Sequence, residues 1–165
     1  MQKTAPIFLP NAVGGYMPAK AATYDAKGFG SGDKPNAIMT ALSKGYVVAS
    51  VGARGRTLEK DGKYTGKAPA AIVDLKAAVR YLHANDNMMP GDAKKIISNG
   101  TSAGGALSAL LGASGDSNDY IGYLKQAGAA EASDAIFAVS AYCPITNLDN
   151  ADSAYEWEFN GVNEY

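Results

Sequence analysis

Short apolar runs alternate along this chain with longer stretches whose apolar residues recur every third or fourth position. Pro6-Ile7-Phe8-Leu9, closed by Pro10 and Asn11, reads as a short strand. Ala21 to Gly32 is mixed and glycine-rich, as a loop is. Across Asn36 to Lys44, Ile38, Met39, Ala41 and Leu42 fall at helical spacing, and Gly45 supplies the stop. Tyr46 to Val51 is β-branched and apolar on both faces, which predicts a buried parallel strand. Gly52 to Lys67 is polar and glycine-rich and reads as loop. Pro69 then suits the first turn of a helix in which Ile72, Leu75, Val79 and Leu82 make one apolar stripe, with Asp74, Arg80 and Tyr81 pointing elsewhere. Pro90-Gly91 marks a turn, and Lys95 to Ser98 a strand. Ala103 to Ala113 is small and apolar on nearly every side, so it predicts a helix held close against a sheet. Ser114 to Asn118 reads as a polar turn, Tyr120 to Gly128 as a short helix and Ala135 to Tyr142 as a further strand. The stretch Asn147 to Tyr165 is acidic, helical or irregular.

Strands separated by helices imply a parallel sheet covered on both faces. Chemistry in such sheets sits beyond the carboxyl ends of the strands. Three segments lie there: Asn11 to Tyr16, Gly100 to Gly104, and Cys143 to Asn147.

Composition narrows the field. The chain has 165 residues, 47% hydrophobic and 19% charged, enough for one domain with a sizeable core. Fifteen Lys and Arg against 16 Asp and Glu leave a net charge of -1, with no electrostatic footprint for nucleic acid or an anionic membrane. No apolar run approaches the roughly 18 residues of a membrane span. No signal-peptide pattern opens the sequence. The single cysteine, Cys143, excludes an internal disulfide and leaves both cytoplasmic and secreted settings open. With one histidine, His83, no Cys/His cluster can hold zinc, so no metal and no cofactor is expected. The phosphate-binding G-x-x-x-x-G-K-[ST] pattern is absent, and Gly28-Phe29-Gly30 lacks its third glycine, Asp33 standing there.

The chemistry points instead to Gly100-Thr101-Ser102-Ala103-Gly104, a G-x-S-x-G between a strand and a helix. A sharp strand-to-helix turn leaves little room beside the serine, which glycine flanks satisfy. It lifts the hydroxyl above the sheet, where the Ala103 N–H and the helix dipole favour negative charge. A serine that merely caps the helix is the competing explanation, but it requires neither flanking glycine nor Gly105. The pair Gly14-Gly15, after the first strand, can supply the second oxyanion donor.

The segments Asp74 to Leu82, Pro90-Gly91-Asp92 and Asn99 to Gly105 resemble serine esterases of the α/β-hydrolase fold. Within them, Pro10 to Tyr16, Ser50 to Arg56 and Tyr142 to Thr146 resemble bacterial tannases of the lactobacillus type. The resemblance implies a three-layer α/β-hydrolase-type sheet and hydrolysis of galloyl or other aryl esters through an acyl-enzyme. Ser102 maps to the nucleophile, and Ala103 with Gly14 or Gly15 to the oxyanion hole. The family order is serine, acid, histidine, yet no histidine follows Ser102 and His83 precedes it. His83 reads as an edge residue of a packing helix. Asp149 and Asp152 follow Ser102 but fall where the family begins its cap. Residues 1–165 are therefore expected to form a partial α/β-hydrolase domain, about strands three to six. The acid and histidine would lie in a missing C-terminal half, which is the expected partner beside a small ester substrate.

Arg54 and Arg56 are expected to pair with Asp74 or a nearby acid rather than with a ligand. Cys143 is expected to be buried, Tyr16 and Tyr64 to be loop residues, and Trp157 to anchor the acidic C-terminal stretch. Other readings are a carboxylesterase or prolyl-peptidase-like hydrolase of the same fold, and a non-catalytic ligand-binding α/β module.

Overall fold

Strand β1 (Pro6–Pro10) alternates its side chains: Ile7 and Leu9 are buried on one face, and Phe8 is half-buried on the other. In the computed structural model, which describes residues 3–25, 36–147, 149–150 and 161, this strand pairs in parallel on both sides. One neighbour is β2 (Val47–Val48), the other β5 (Asp92–Thr101), which pairs in turn with β6 (Ala138–Tyr142). The sheet order is β2-β1-β5-β6.

The chain thus steps from β1 through α1 (Ala37–Ser43) to β2, then returns past β1 through α2 (Ala70–Ala84) to β5. Right-handed crossovers in opposite directions put α1 on one face and α2 on the other. The step from β5 through α3 (Ala103–Ala113) to β6 continues in the second direction, so α3 shares the face of α2. The expected three-layer α/β architecture is present. The order reverses between β1 and β5, and the crevice beyond their carboxyl ends is where such sheets bind ligands.

The main core lies between the sheet and the α2–α3 layer, joining Ile7, Leu9 and Ile96 to Ile72, Leu75, Val79, Leu107 and Leu111. The stripe read along α2 is buried as expected. The small residues of α3 have a mechanical reason: a Cβ at Gly105 would stand 2.4 Å from the Tyr142 carbonyl oxygen, and one at Gly112 2.4 Å from Val139 Cγ2. Helix α1 is capped by Asn36, whose Oδ1 accepts from the Met39 N–H at 2.8 Å, and Gly45 follows it at φ +82°.

Several boundaries differ from expectation. Only Val47–Val48 of the run Tyr46–Val51 is strand, continued by a bridge from Val51 to Asn11, and Tyr46 to Ser50 stay half-buried. Apolar character on both faces therefore does not mark full burial here. Strand β5 extends far beyond Lys95–Ser98, and β6 begins at Ala138 rather than Ala135. The loop Gly52–Lys67 contains an exposed hairpin, β3 (Glu59–Lys60) and β4 (Lys63–Tyr64). Its turn is Asp61-Gly62, both at positive φ, the pairing that two-residue hairpins favour. The helix after Ser117 is α4 (Ile121–Gln126), preceded by a turn of 3-10 helix. The Gly28-Phe29-Gly30 stretch and residues Asp152 and Trp157 lie outside the described residues.

Candidate active site

Strand β5 ends at Thr101 and α3 begins at Ala103, so one residue makes the whole turn. That residue, Ser102, has φ +58° and ψ -121°. Side chains rarely adopt such a backbone, which costs roughly 1–3 kcal/mol and must be imposed by the surroundings. Three glycines allow those surroundings to close in. A Cβ at Gly100 would lie 2.3 Å from the Gly104 carbonyl oxygen, and one at Gly104 2.8 Å from the Val13 carbonyl oxygen. Gly105 is pressed against Tyr142, whose carbonyl also accepts the Ser102 N–H at 3.0 Å. The serine is exposed and its side chain makes no capping bond to α3. The helix-capping explanation is thereby excluded.

Ala103 is buried at the head of an 11-residue helix, where N–H groups lack helical acceptors. The dipole of α3 adds positive potential at the same point. Beyond β1, Asn11 and Val13 are buried while Gly14 and Gly15 are exposed. Gly14 opens a turn closed by the Met17 N–H on its carbonyl at 3.0 Å, with Gly15 and Tyr16 both at positive φ. Since Val13 abuts Gly104, the structure sets this loop against the first turn of α3.

Arg54 and Arg56 are held in different ways, and only Arg56 reaches the glycine loop. Arg54 meets Asp74 through Nη2 at 2.7 Å, Nε at 3.0 Å and its backbone N–H at 2.8 Å, the expected structural pairing. The hydrogen bonds to Asp74 push the guanidinium pKa still higher, against the opposing effect of burial. Arg56 has no acid partner among the described residues. Its Nε donates to the Gly15 carbonyl at 2.9 Å and its backbone N–H to the Tyr16 carbonyl at 2.8 Å. The Tyr16 hydroxyl is buried without a hydrogen-bond partner, and burial raises its pKa. Tyr64 is exposed on the hairpin.

Other candidates fall elsewhere. His83 is in the last turn of α2, which runs antiparallel to the strands, so it lies beside the start of β5 while Ser102 lies beyond its end. Ten strand residues separate the two levels, roughly 30 Å. Its Nε2 is buried without a partner. Asp149 is exposed beside Ile145 and Thr146. Cys143 is exposed at φ +46°, which corrects the expected burial: it follows β6 on the open rim and does not point into the core.

Two features escaped the sequence reading. One is Asn11, whose carboxamide reaches the first turn of α3; a lone amide between a strand end and a glycine pair was the available signal. The other is the fully buried Lys76–Asp134 pair, invisible in the apolar stripe of α2. Among the described residues, no group of three or more His, Cys, Asp or Glu side chains is placed to hold a metal ion.

The BD-FAE family model matches residues 16–163. No curated protein matches the chain. Among solved structures, a Fusobacterium nucleatum tannase is 73% identical, with a TM-score of 0.89, over 99% of this chain and 34% of its own length. The tannin acyl hydrolase from Lactobacillus plantarum is 55% identical, with a TM-score of 0.87, over 99% of this chain and 35% of its own. A tannin acyl hydrolase in complex with ethyl gallate matches at 55% identity and a TM-score of 0.87, over 99% of this chain and 36% of its own. The chain spans about a third of the length of the tannases it matches.

Proposed function

Because the chain belongs to the BD-FAE family, we propose that it carries the nucleophile and oxyanion hole of a serine ester hydrolase that cleaves galloyl or related aryl esters. The observation that carries this reading is the backbone of Ser102: a non-glycine residue held at φ +58°, exposed, with no capping role for its side chain. Its ψ of -121° takes it outside the ordinary left-handed region as well, and strain of this kind at an exposed hydroxyl supports a reacting group. The similarity to tannases supports the choice of substrate.

In this reading Ser102 Oγ attacks the ester carbonyl carbon. Its proton passes to a histidine, and the carbonyl oxygen becomes an oxyanion. That charge is met by the N–H of Ala103 and the N–H of Gly14 or Gly15, each donor being worth about 3 kcal/mol of barrier. The tetrahedral intermediate expels the alcohol, which takes the proton from the histidine. Water then attacks the acyl-serine by the same route and frees the acid. His83 is too remote to act, so in this reading the histidine comes from polypeptide outside residues 1–165, and its acid is assigned there with it. Residues 1–165 are thus one portion of the catalytic domain, and a small ester is the partner of the assembled site.

The test compares ethyl gallate, a short acyl ester and a peptide as substrates for the protein as the cell makes it, alongside Ser102→Ala. Preferential cleavage of ethyl gallate, lost by about 10³-fold or more in Ser102→Ala, is the expected outcome. Undiminished cleavage by Ser102→Ala would overturn the nucleophile assignment. Preference for the short acyl ester would move the substrate class to general carboxylesters.

A further inference from the structure

At the junction of the two loops stands Asn11, just past the end of β1, with only 8% of its surface exposed. Its backbone N–H donates to the Asn99 carbonyl at 2.9 Å, extending the β1–β5 ladder. Its side-chain Nδ2 donates to the Gly104 carbonyl at 3.0 Å, to Ser108 Oγ at 2.8 Å and, more weakly, to the Asn99 carbonyl at 3.3 Å. Ser98 Oγ lies 2.9 Å from Ser108 Oγ and continues the chain into β5. Two of the three acceptors are carbonyls, which cannot donate, so the nitrogen of the carboxamide must face them. One side chain thereby ties β1, β5 and the first two turns of α3.

The other half of the same carboxamide is unsatisfied. Asn11 Oδ1 is buried without a hydrogen-bond partner, and it rests against Gly104, where a Cβ would stand 2.6 Å away. An apolar side chain would fill this space without leaving a buried acceptor unpaired. The amide is therefore poorly explained by stability alone. What it does that an apolar residue cannot is fix the Gly104 carbonyl, and with it the first turn of α3, against the strand that launches the Gly14-Gly15 loop. The oxyanion donors come one from each side of this junction.

Building on the proposed ester hydrolysis, we infer that Asn11 is a positioning residue. It sets the distance and angle between the Ala103 N–H and the glycine-loop N–H, and it touches no substrate. Transition-state stabilisation depends steeply on that geometry, whereas ground-state binding of the ester does not. Ser108 is its outer support, holding the carboxamide plane from the second turn of α3.

The experiment measures ethyl gallate hydrolysis by the intact protein, with active serines titrated by a fluorophosphonate so that turnover is expressed per reactive Ser102. Asn11→Ala and Asn11→Asp both lose the donors to Gly104. Each is expected to lower kcat per titrated site by about 10- to 100-fold, with KM within about twofold. Ser108→Ala leaves both carbonyl bonds in place and is expected to lower kcat per site only a few-fold, again at constant KM. It also serves if the Asn11 variants do not fold. A purely structural Asn11 would reduce the number of titratable sites and the melting temperature while leaving turnover per site unchanged. That result, or an unaltered kcat per site in Ser108→Ala, would overturn the inference. Ser102→Ala run in parallel separates the two failures: if it keeps full activity, the proposed function itself is wrong.

Discussion

Ser102 is held in its unusual conformation by absences: no Cβ at Gly100, Gly104 or Gly105 intrudes on the turn. Replacing Gly104 by Ala puts a methyl group 2.6 Å from Asn11 Oδ1 and 2.8 Å from the Val13 carbonyl, neither able to retreat freely. Gly104→Ala is therefore expected to lose about 2 kcal/mol or more of stability, measurable by urea unfolding. Arg56 offers the opposite case. It is exposed, and its Nε only steadies the Gly15 carbonyl. Arg56→Ala is expected to slow ester cleavage by roughly 10-fold while leaving the urea midpoint nearly unchanged. At this scale the sharp turn at Ser102 and its tightly packed glycines could be read from the sequence, because backbone geometry there demands particular residue types. The sequence was uninformative about Arg56 and Asn11, whose roles depend on carbonyls contributed by distant turns.

Among elements, the most consequential tie is the buried charge cluster joining α2 to the segments before α4 and β6. Asp134 accepts from Lys76 Nζ at 2.7 Å, Arg80 Nε at 2.8 Å and the Asp116 N–H at 2.9 Å. Lys76 also donates to the Ser114 carbonyl and lies over the Tyr120 ring. Burial alone would raise the Asp134 pKa, but the bonds from Lys76, Asp116 and Arg80 together hold it below its ordinary value of 3.8. A carboxylate depressed on folding stabilises the fold at pH values above 3.8, and that contribution is lost as pH falls toward its folded pKa. Asp134→Asn is expected to be destabilised by about 3–5 kcal/mol at pH 7, because it leaves Lys76 buried and uncompensated. Its deficit relative to the native chain should shrink below pH 4 in thermal melts. A deficit unchanged down to pH 2 would assign the effect to packing. The helices themselves were legible from periodicity. The β3–β4 hairpin was not, because two-residue exposed strands carry no apolar alternation and only the Asp61-Gly62 turn announced them. Lys76 hid inside the apolar stripe of α2 because its partner lies 58 residues away.

For the molecule as a whole, topology decides where chemistry is possible. The reversal between β1 and β5 opens the crevice, and the two loops that flank it carry Ser102 and the glycine pair. The same topology carries His83 to the far end of the sheet. A polypeptide of residues 1–165 produced alone is therefore expected to show no Ser102-dependent cleavage of methyl gallate above the background of the Ser102→Ala polypeptide. Among the described residues, β6 forms one edge of the sheet, with Val139 and Tyr142, and Phe137 just before it, substantially exposed. Such an edge invites pairing by a further strand. The parallel architecture could be read from the alternation of strands and helices, whereas the order β2-β1-β5-β6 could not, since pairing is fixed by side chains far apart in sequence. The central claim is that Ser102 is a nucleophile made reactive by a histidine outside residues 1–165. Its most direct test is to treat the intact protein with a fluorophosphonate and locate the adduct by peptide mass spectrometry. The account predicts stoichiometric modification at Ser102, with matching loss of ethyl gallate hydrolysis. Complete loss of hydrolysis with Ser102 unmodified and the adduct on another residue would contradict it.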